Sequence, residues 1–272
     1  MSGRILPGSQ EVWSGGEVSN LAECVLAPNP SPWTLDGTNT WIVGKAGGSC
    51  VVIDPGPIAN GHGQAIEDTL DRRNGSPVAV LLTHGHIDHA EGAVELAQRL
   101  GVPLRAWDSD LLPDPVEALG NSHHAKEIEV EGGVVEVLAT PGHSSDSVCF
   151  VIGSMILTGD TVLGRGTTLV AHPDGRLDDY LASLDLLART CEERSIDSLL
   201  PGHGPAVDQP RSIVSTYISH RHERLEEISA AMASGAQTAE EIVELVYVDI
   251  PIAVKPAALA TVLAQIEYLE RN

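Results

Sequence analysis

Short apolar runs alternate along this chain with polar, glycine-rich turns, and four of the runs share one kind of ending. Residues 78–82 read as a buried strand and lead into Thr83-His84-Gly85-His86-Ile87-Asp88-His89. Residues 134–139 lead into Thr140-Pro141-Gly142-His143. Residues 155–157 lead into Thr158-Gly159-Asp160, and residues 196–200 into Pro201-Gly202-His203. Between these runs the pattern predicts helices. Residues 60–74 read as one. Residues 90–100 read as a cleaner one, with Ala93, Val94, Leu96, Ala97 and Leu100 at helical spacing and Gly101 as its stop. Residues 178–194 give a third, with Leu181, Leu184, Leu187 and Ala188 on one side. The segment up to about Val52 holds strand-like pieces broken by Gly and Pro. Strands and helices in this alternation predict a mixed α/β class. After Pro210 the texture turns helical, with helices predicted over 213–234, 239–246 and 256–271 and breaks at Gly235 and Pro251. The chain is therefore expected to divide into an α/β catalytic domain, 1–207, and a helical appendage, 208–272.

The strand endings carry the chemistry. His and Asp are poor buried residues unless they are paired or bound to a metal. His84, His86, Asp88 and His89 fall within six positions on a tight turn, which packing does not explain. Each of the other three endings is weak alone, because Pro-Gly-His is a common turn and Gly-Asp a common cap. In sheets flanked by helices, however, functional groups gather at the carboxyl ends of strands. Four such ends carrying seven potential ligands predict one shared site. Imidazole and carboxylate donors without thiolates suit Zn²⁺, and also Mn²⁺ or Fe.

The ordered set resembles the metallo-β-lactamase superfamily over about the first 205 residues. Further stretches resemble its β-lactamase-like protein 2 branch, close to the glyoxalase II-like enzymes, over nearly the whole chain. They are Thr38-Asn39-Thr40-Trp41-Ile42-Val43-Gly44, Ile53-Asp54-Pro55-Gly56, the run from Thr158 to Thr168, and Tyr217-Ile218-Ser219-His220-Arg221. The resemblance implies an αβ/βα sandwich of two sheets with a winged-helix-like C-terminal unit. It implies that His84, His86 and His143 hold a first divalent metal ion and Asp88, His89 and His203 a second. Asp160 would bridge the two, and a shared hydroxide would be the nucleophile, with Asp88 and Asp160 as catalytic carboxylates. A carboxylate at Asp160 is similar to the hydrolase branches. Members that use a Cys near this step match less well, and Cys149 reads as strand core. Two substrate classes stay open: single-stranded RNA, or a small thioester, ester or lactone. A non-catalytic metal-binding protein is a third reading, disfavoured because all seven positions are filled.

Composition adjusts this picture. The chain has 16 Lys/Arg against 38 Asp/Glu, a net charge of −22, which repels polyanions. From Asp208 onward, five basic residues face ten acidic ones, the wrong sign for a phosphate-binding face. A packing or lid role for the tail is expected, and no double-stranded DNA partner. Cys24, Cys50, Cys149 and Cys191 form no Cys-x-x-Cys pair and read as reduced core residues. No apolar stretch of signal-peptide or membrane-span length occurs, so a cytoplasmic protein without membrane contact is expected. Among the remaining candidates, Asp54 is expected beside the metal loop or as a turn carboxylate. Asn39 and the loop 164–168 are expected to line a substrate pocket, with Arg165 and His172 as substrate contacts. His62 reads as structural, His123 and His124 as exposed, and His220 as tying the tail to the rear of the site. Oligomeric state is left open.

Overall fold

The computed structural model describes residues 12–108, 116–121, 124–248, 250 and 252–272. Two sheets face each other at its centre. The first contains β1 (Gly16–Glu17), β2 (Ala22–Leu26), β3 (Asn39–Val43), β4 (Ser49–Ile53), β5 (Ser76–Leu81), β6 (Leu104–Ala106) and β7 (Glu117–Ala118), in that spatial order. Its first four strands pair antiparallel and the rest parallel. A short hairpin, β8 (Gly120–Asn121) and β9 (His124–Ala125), leads to the second sheet. That sheet is β10 (Glu127–Val130), β11 (Gly133–Ala139), β12 (Val148–Ile152), β13 (Met155–Gly159) and β14 (Ser198–Pro201), antiparallel except for the β13–β14 pair. β4 and β5 point one way, as do β11, β13 and β14, so the loops after them can meet at one rim.

The layering follows from side-chain alternation along strands. In the first sheet Trp41, Val43, Val51, Ile53, Ala79 and Leu81 face inward, against Val135, Val148, Phe150, Ile152 and Leu157 of the second sheet. Their neighbours Ile42, Val52, Val80 and Leu82 face outward, onto α1 (His62–Arg73) and α3 (Ala93–Leu100) through Ile66, Leu70, Leu96 and Ala97. The outer face of the second sheet, Cys149, Val151, Ile156 and Leu199, packs on α4 (Leu177–Glu193) and α5 (Pro210–Ala233) through Leu184, Leu187, Ile213, Val214 and Tyr217. Burial on both faces explains why these strands are continuously apolar rather than alternating. The result is the αβ/βα sandwich that the resemblance implied.

The helices differ from expectation where the backbone turns left-handed or tight. Residues 60–74 shorten to α1, because Asn60 (φ 55°), Gly61 (φ 85°) and Asn74 (φ 49°) lie outside the right-handed helical region. The helix expected over 90–100 is two pieces, α2 (Ile87–Ala90) and α3. The break is at Gly92, whose N–H bonds the carbonyl of Gly56 at 2.9 Å. A Cβ there would lie 2.4 Å from Ile58, so only glycine lets the chain pass. Beyond β14, the described residues form α5, α6 (Ala239–Val246), a 3₁₀ turn (Ile252–Val254) and α7 (Lys255–Arg271), with no strand among them. The first half of α5 belongs to the α4 core. Its second half joins α6 and α7 around Ile228, Ile242, Val243 and Val262. All four cysteines are buried and free. No helix among the described residues is long and apolar enough to cross a membrane. The N-terminal reading over residues 1–11 and the exposure expected for His123 and His124 lie outside the residues and side chains described.

Phe150 is the single phenylalanine and is fully buried between the sheets. Phe150→Ala is expected to cost about 3–5 kcal/mol in urea unfolding, the range for deleting a core aromatic ring. A loss below about 1 kcal/mol is too small for such a deletion and would mean that the sheets do not meet there.

Candidate metal centre

Four strand ends deliver the site. The turn after β5 carries His84 and His86, and α2 carries Asp88 and His89. His143 follows β11, Asp160 follows β13, and His203 follows β14. Among the described residues, three overlapping groups place one ligand atom each within 4.8 Å of one another: His84, His86 and His143; His84, His89 and Asp160; Asp88, His89 and His203. His143 Nε2 is 3.0 Å from His86 Nδ1, and His89 Nε2 is 3.2 Å from His203 Nε2. Asp160 lies between the two halves, 3.8 Å from His143 Nε2, 3.5 Å from His89 Nε2 and 3.4 Å from His203 Nε2. Asp88 Oδ2 is 3.2 Å from His203 Nε2. Glycine is required at 202, since a Cβ would sit 2.5 Å from Asp160 Oδ1.

Each ring is aimed by the atom behind it. His89 Nδ1 donates to Asp54 Oδ2 at 2.9 Å, His143 Nδ1 to the Leu169 carbonyl at 2.7 Å, and His203 Nδ1 to the Gly37 carbonyl at 3.2 Å. His86 turns the other way, with Nε2 on Asp174 Oδ2 at 3.3 Å. The Thr83 hydroxyl spends its proton on Asp54 Oδ2 at 2.6 Å, so at 3.0 Å it accepts from His84 Nδ1. Every outer nitrogen therefore faces an acceptor that fixes the tautomer. Five ring lone pairs converge: Nε2 of His84, His89, His143 and His203, and Nδ1 of His86. Of these inward-facing atoms, His84 Nε2 and Asp160 Oδ1 are buried without any hydrogen-bond partner. Buried nitrogen and oxygen lone pairs set against one another, with two atoms orphaned, fit divalent cations and nothing apolar. The donor set is suited to two metal ions.

The electrostatics agree. Burial holds the His84 pKa well below the usual histidine value, helped by His89 and His143, and lowers His143 as well. At His203 burial is outweighed by Asp160 and Asp88, and the pKa is pushed up to about 11. His89 is raised in the same manner, burial being overcome by Asp160 and Asp54. Asp160 is held well below the carboxylate range, because His203 and His89 outweigh its burial. Both upward shifts come from the carboxylates of Asp160, Asp88 and Asp54 packed against buried rings.

A cleft of about 510 Å³ opens over His86, Asp88, His143, Asp160 and His203. Exposure grades from His89 (0 %) to the side chains of Asp88 (28 %) and His86 (43 %), which marks the open side. A larger hollow of about 610 Å³ beside β14 contains none of these residues. Of the other predicted residues, Asp54 sits in a left-handed turn (φ 52°) and aims Thr83 and His89, so both of its expected roles coexist. Arg165 lines the cleft and pairs with Asp36. Asn39 is a correction. It is fully buried away from the cleft, and its amide holds the carbonyls of Pro201 and Gly204, so it fixes the turn bearing His203. His172 is a second correction: it is exposed, outside the cleft lining, and its N–H bonds Ala260 of α7. His62 is buried against Thr40, as a structural residue. Sequence reasoning missed Asp174 and Asp146, which anchors the Gly85 N–H at 2.7 Å. Both are lone carboxylates in polar loops, and only contacts distant in sequence distinguish them.

A model of the metallo-beta-lactamase superfamily matches residues 33–203. The chain is 30% identical over 254 residues to a beta-lactamase-like protein 2 homolog of Caenorhabditis elegans, covering 90% of this chain and 83% of that protein. It is 31% identical to an atrochrysone carboxyl ACP thioesterase of Passalora fulva, over 82% of this chain and 67% of that one. Among solved structures, a beta-lactamase domain protein from Burkholderia ambifaria superposes with a TM-score of 0.79 at 22% identity, covering 94% of this chain and 87% of that one. The strand-end ligand cluster, the two-sheet sandwich and these matches place the chain in the metallo-beta-lactamase superfamily, as a metal-dependent hydrolase.

Proposed function

We propose that this hydrolase cleaves thioesters or esters of an apolar acyl group. In this reading His84, His86 and His143 hold one metal ion, Asp88, His89 and His203 hold a second, and Asp160 is shared. The observation that carries the substrate class is the cleft wall. Beside the His/Asp cluster its lining includes Leu35, Leu163, Leu169, Tyr247, Ile250 and Val254. Such a wall favours an apolar acyl chain and excludes water from the scissile bond. The thioesterase named among the relatives and the charge of −22 point the same way.

Bound Zn²⁺, with Mn²⁺ or Fe also compatible with these donors, supplies Lewis acidity and lowers the pKa of a coordinated water. The remaining work belongs to the chain. Asp54, Thr83, Leu169, Gly37 and Asp174 keep five rings aimed. Asp160 supplies negative charge between the two halves. Asp88, the most exposed carboxylate of the cluster, turns Oδ2 toward His203 and His89 and would hold the attacking water by its carboxylate at the open side of the cleft. The segment 208–272 acts here as a helical wall of the cleft rather than as a DNA-binding winged helix.

Cleavage of single-stranded RNA is the second reading, and one observation favours it: Arg165, Arg221, Arg224 and His220 line the same cleft. Each arginine is already engaged, Arg165 with Asp36, Arg221 with the Thr168 carbonyl and Arg224 with Glu227. An RNA groove needs cations turned outward.

Two outcomes test this reading. Asp160→Ala is expected to lower turnover of aromatic and medium-chain acyl thioesters by at least about 10³-fold while leaving the fold intact, with loss of bound metal by elemental analysis. Activity retained in that variant would sink the site assignment. RNA cleavage that weakens steeply with salt, beside inert thioesters, would install the second reading. The second outcome is pH dependence. His203 has a folded pKa above its unfolded value, so its protonated form stabilises the metal-free protein below that unfolded value, and the effect fades as pH approaches 11. Metal must displace that proton. Zn²⁺ affinity measured against a chelator is therefore expected to rise about tenfold per pH unit per proton released between pH 6 and 8. A flat profile would contradict it.

A further inference from the structure

We propose that Arg221, on α5, is a positioning residue for His143, which makes the tail a working part of the metal centre. The proposal rests on the two-metal reading above. The stretch from Leu163 to Arg176 is a strap with no helix or strand of its own, yet it buttresses the site at several points. Its Leu169 carbonyl receives the His143 Nδ1–H at 2.7 Å. Its Asp174 meets His86 Nε2 at 3.3 Å and the Ser145 N–H at 3.2 Å. Its Thr168 hydroxyl donates to the Asp160 carbonyl at 2.7 Å.

A strap without a ladder needs an outside anchor, and the tail supplies it. The Tyr217 hydroxyl accepts from Leu163 N–H at 3.0 Å and donates to the Gly166 carbonyl at 3.1 Å. Arg221 Nη2 donates to the Thr168 carbonyl, immediately before the carbonyl that aims His143. On α7, Ala260 receives the His172 N–H at 3.1 Å. Arg221 is 3 % exposed and its guanidinium lies 5.0 Å from the centre of the Tyr180 ring, whose hydroxyl bonds the Thr161 carbonyl at 2.7 Å. A desolvated arginine spent on a loop carbonyl, rather than on a carboxylate, is a poor stability device on its own. Its geometry makes sense as a clamp on the Thr168–Leu169 peptide. His84 and His89 are aimed from Thr83 and Asp54, outside the strap, so loosening the clamp falls on one half of the centre.

The test titrates the full-length, metal-free protein with Co²⁺, whose visible absorption reports each occupied position. Wild type, Arg221→Met, Arg221→Lys, His143→Ala and the Arg221→Met/His143→Ala double variant are compared, with thermal unfolding of each before metal is added. Wild type is expected to take two equivalents. Arg221→Met is expected to bind one of them roughly 10–100-fold more weakly, the range for losing a group that orients a ligand, while melting close to wild type. Arg221→Lys is expected to recover most of that affinity. Because Arg221 acts through His143, the double variant is expected to bind no more weakly than His143→Ala alone. Two tight equivalents in Arg221→Met, or a fully additive loss in the double variant, would overturn the proposal. If Arg221→Met does not fold, Tyr217→Phe removes the neighbouring α5 anchor of the same strap and is read by the same two outcomes. Wild type that takes fewer than two equivalents of Co²⁺ overturns the two-metal reading and this proposal with it; two equally tight equivalents in both wild type and Arg221→Met overturn this proposal alone.

Discussion

Five imidazoles pointing their lone pairs at one another is the constraint on which this molecule is built. Ring nitrogens aimed at one another need positive charge between them, and buried acceptors without donors are costly. The arrangement persists because each ring is tied from behind, by Asp54, Thr83, Leu169, Gly37 or Asp174. Those ties come from the loop after β4, the turn after β5, the loop before β3 and the strap before α4. The sandwich serves to bring these segments to one rim. Asp160 and Asp88 raise the pKa of His203, and Asp160 and Asp54 that of His89, while His84 Nε2 and Asp160 Oδ1 have no hydrogen-bond partner.

The two sheets contribute stiffness where aim matters. β4 and β5 are buried on both faces, between the α1/α3 layer and the second sheet. Asp54 and Thr83 extend directly from them, and Thr83 N–H bonds Asp54 Oδ1 at 2.8 Å. The second half of the site is less rigidly founded. His143 leans on a strap that depends on helices far along the chain, and His86 leans on an exposed carboxylate. In the proposed clamp the aim of His143 would depend on the tail, while His84 and His89 are held from the sheet. That tail also walls the cleft, so a single segment bears on both metal geometry and substrate fit.

Much of this was legible in the sequence because the information is local. Apolar runs of strand length ending in His or Asp are visible by inspection, and the helices over 178–194 and 239–246 lie within a residue of their predicted ends. What was not legible depends on partners distant in the chain. Asn39 read as a pocket residue, but its partners are the carbonyls of Pro201 and Gly204. His172 read as a substrate contact from its nearness to the site loop, but Ala260 turns that peptide away. The helix expected over 90–100 runs through Gly92, where Ile58 fills the space a side chain would take. Asp174 gave no signal, since a loop aspartate beside Gly175 is ordinary turn chemistry.

The most direct measurement is an anomalous-difference map at the zinc absorption edge from crystals of the Zn²⁺-loaded protein. The account predicts two peaks. One should be bounded by His84 Nε2, His86 Nδ1 and His143 Nε2, the other by His89 Nε2, His203 Nε2 and Asp88, with Asp160 touching both. A single peak, or a peak approached by His86 through Nε2 or by His89 through Nδ1, would contradict the claim that the outer hydrogen bonds dictate which nitrogen faces the metal.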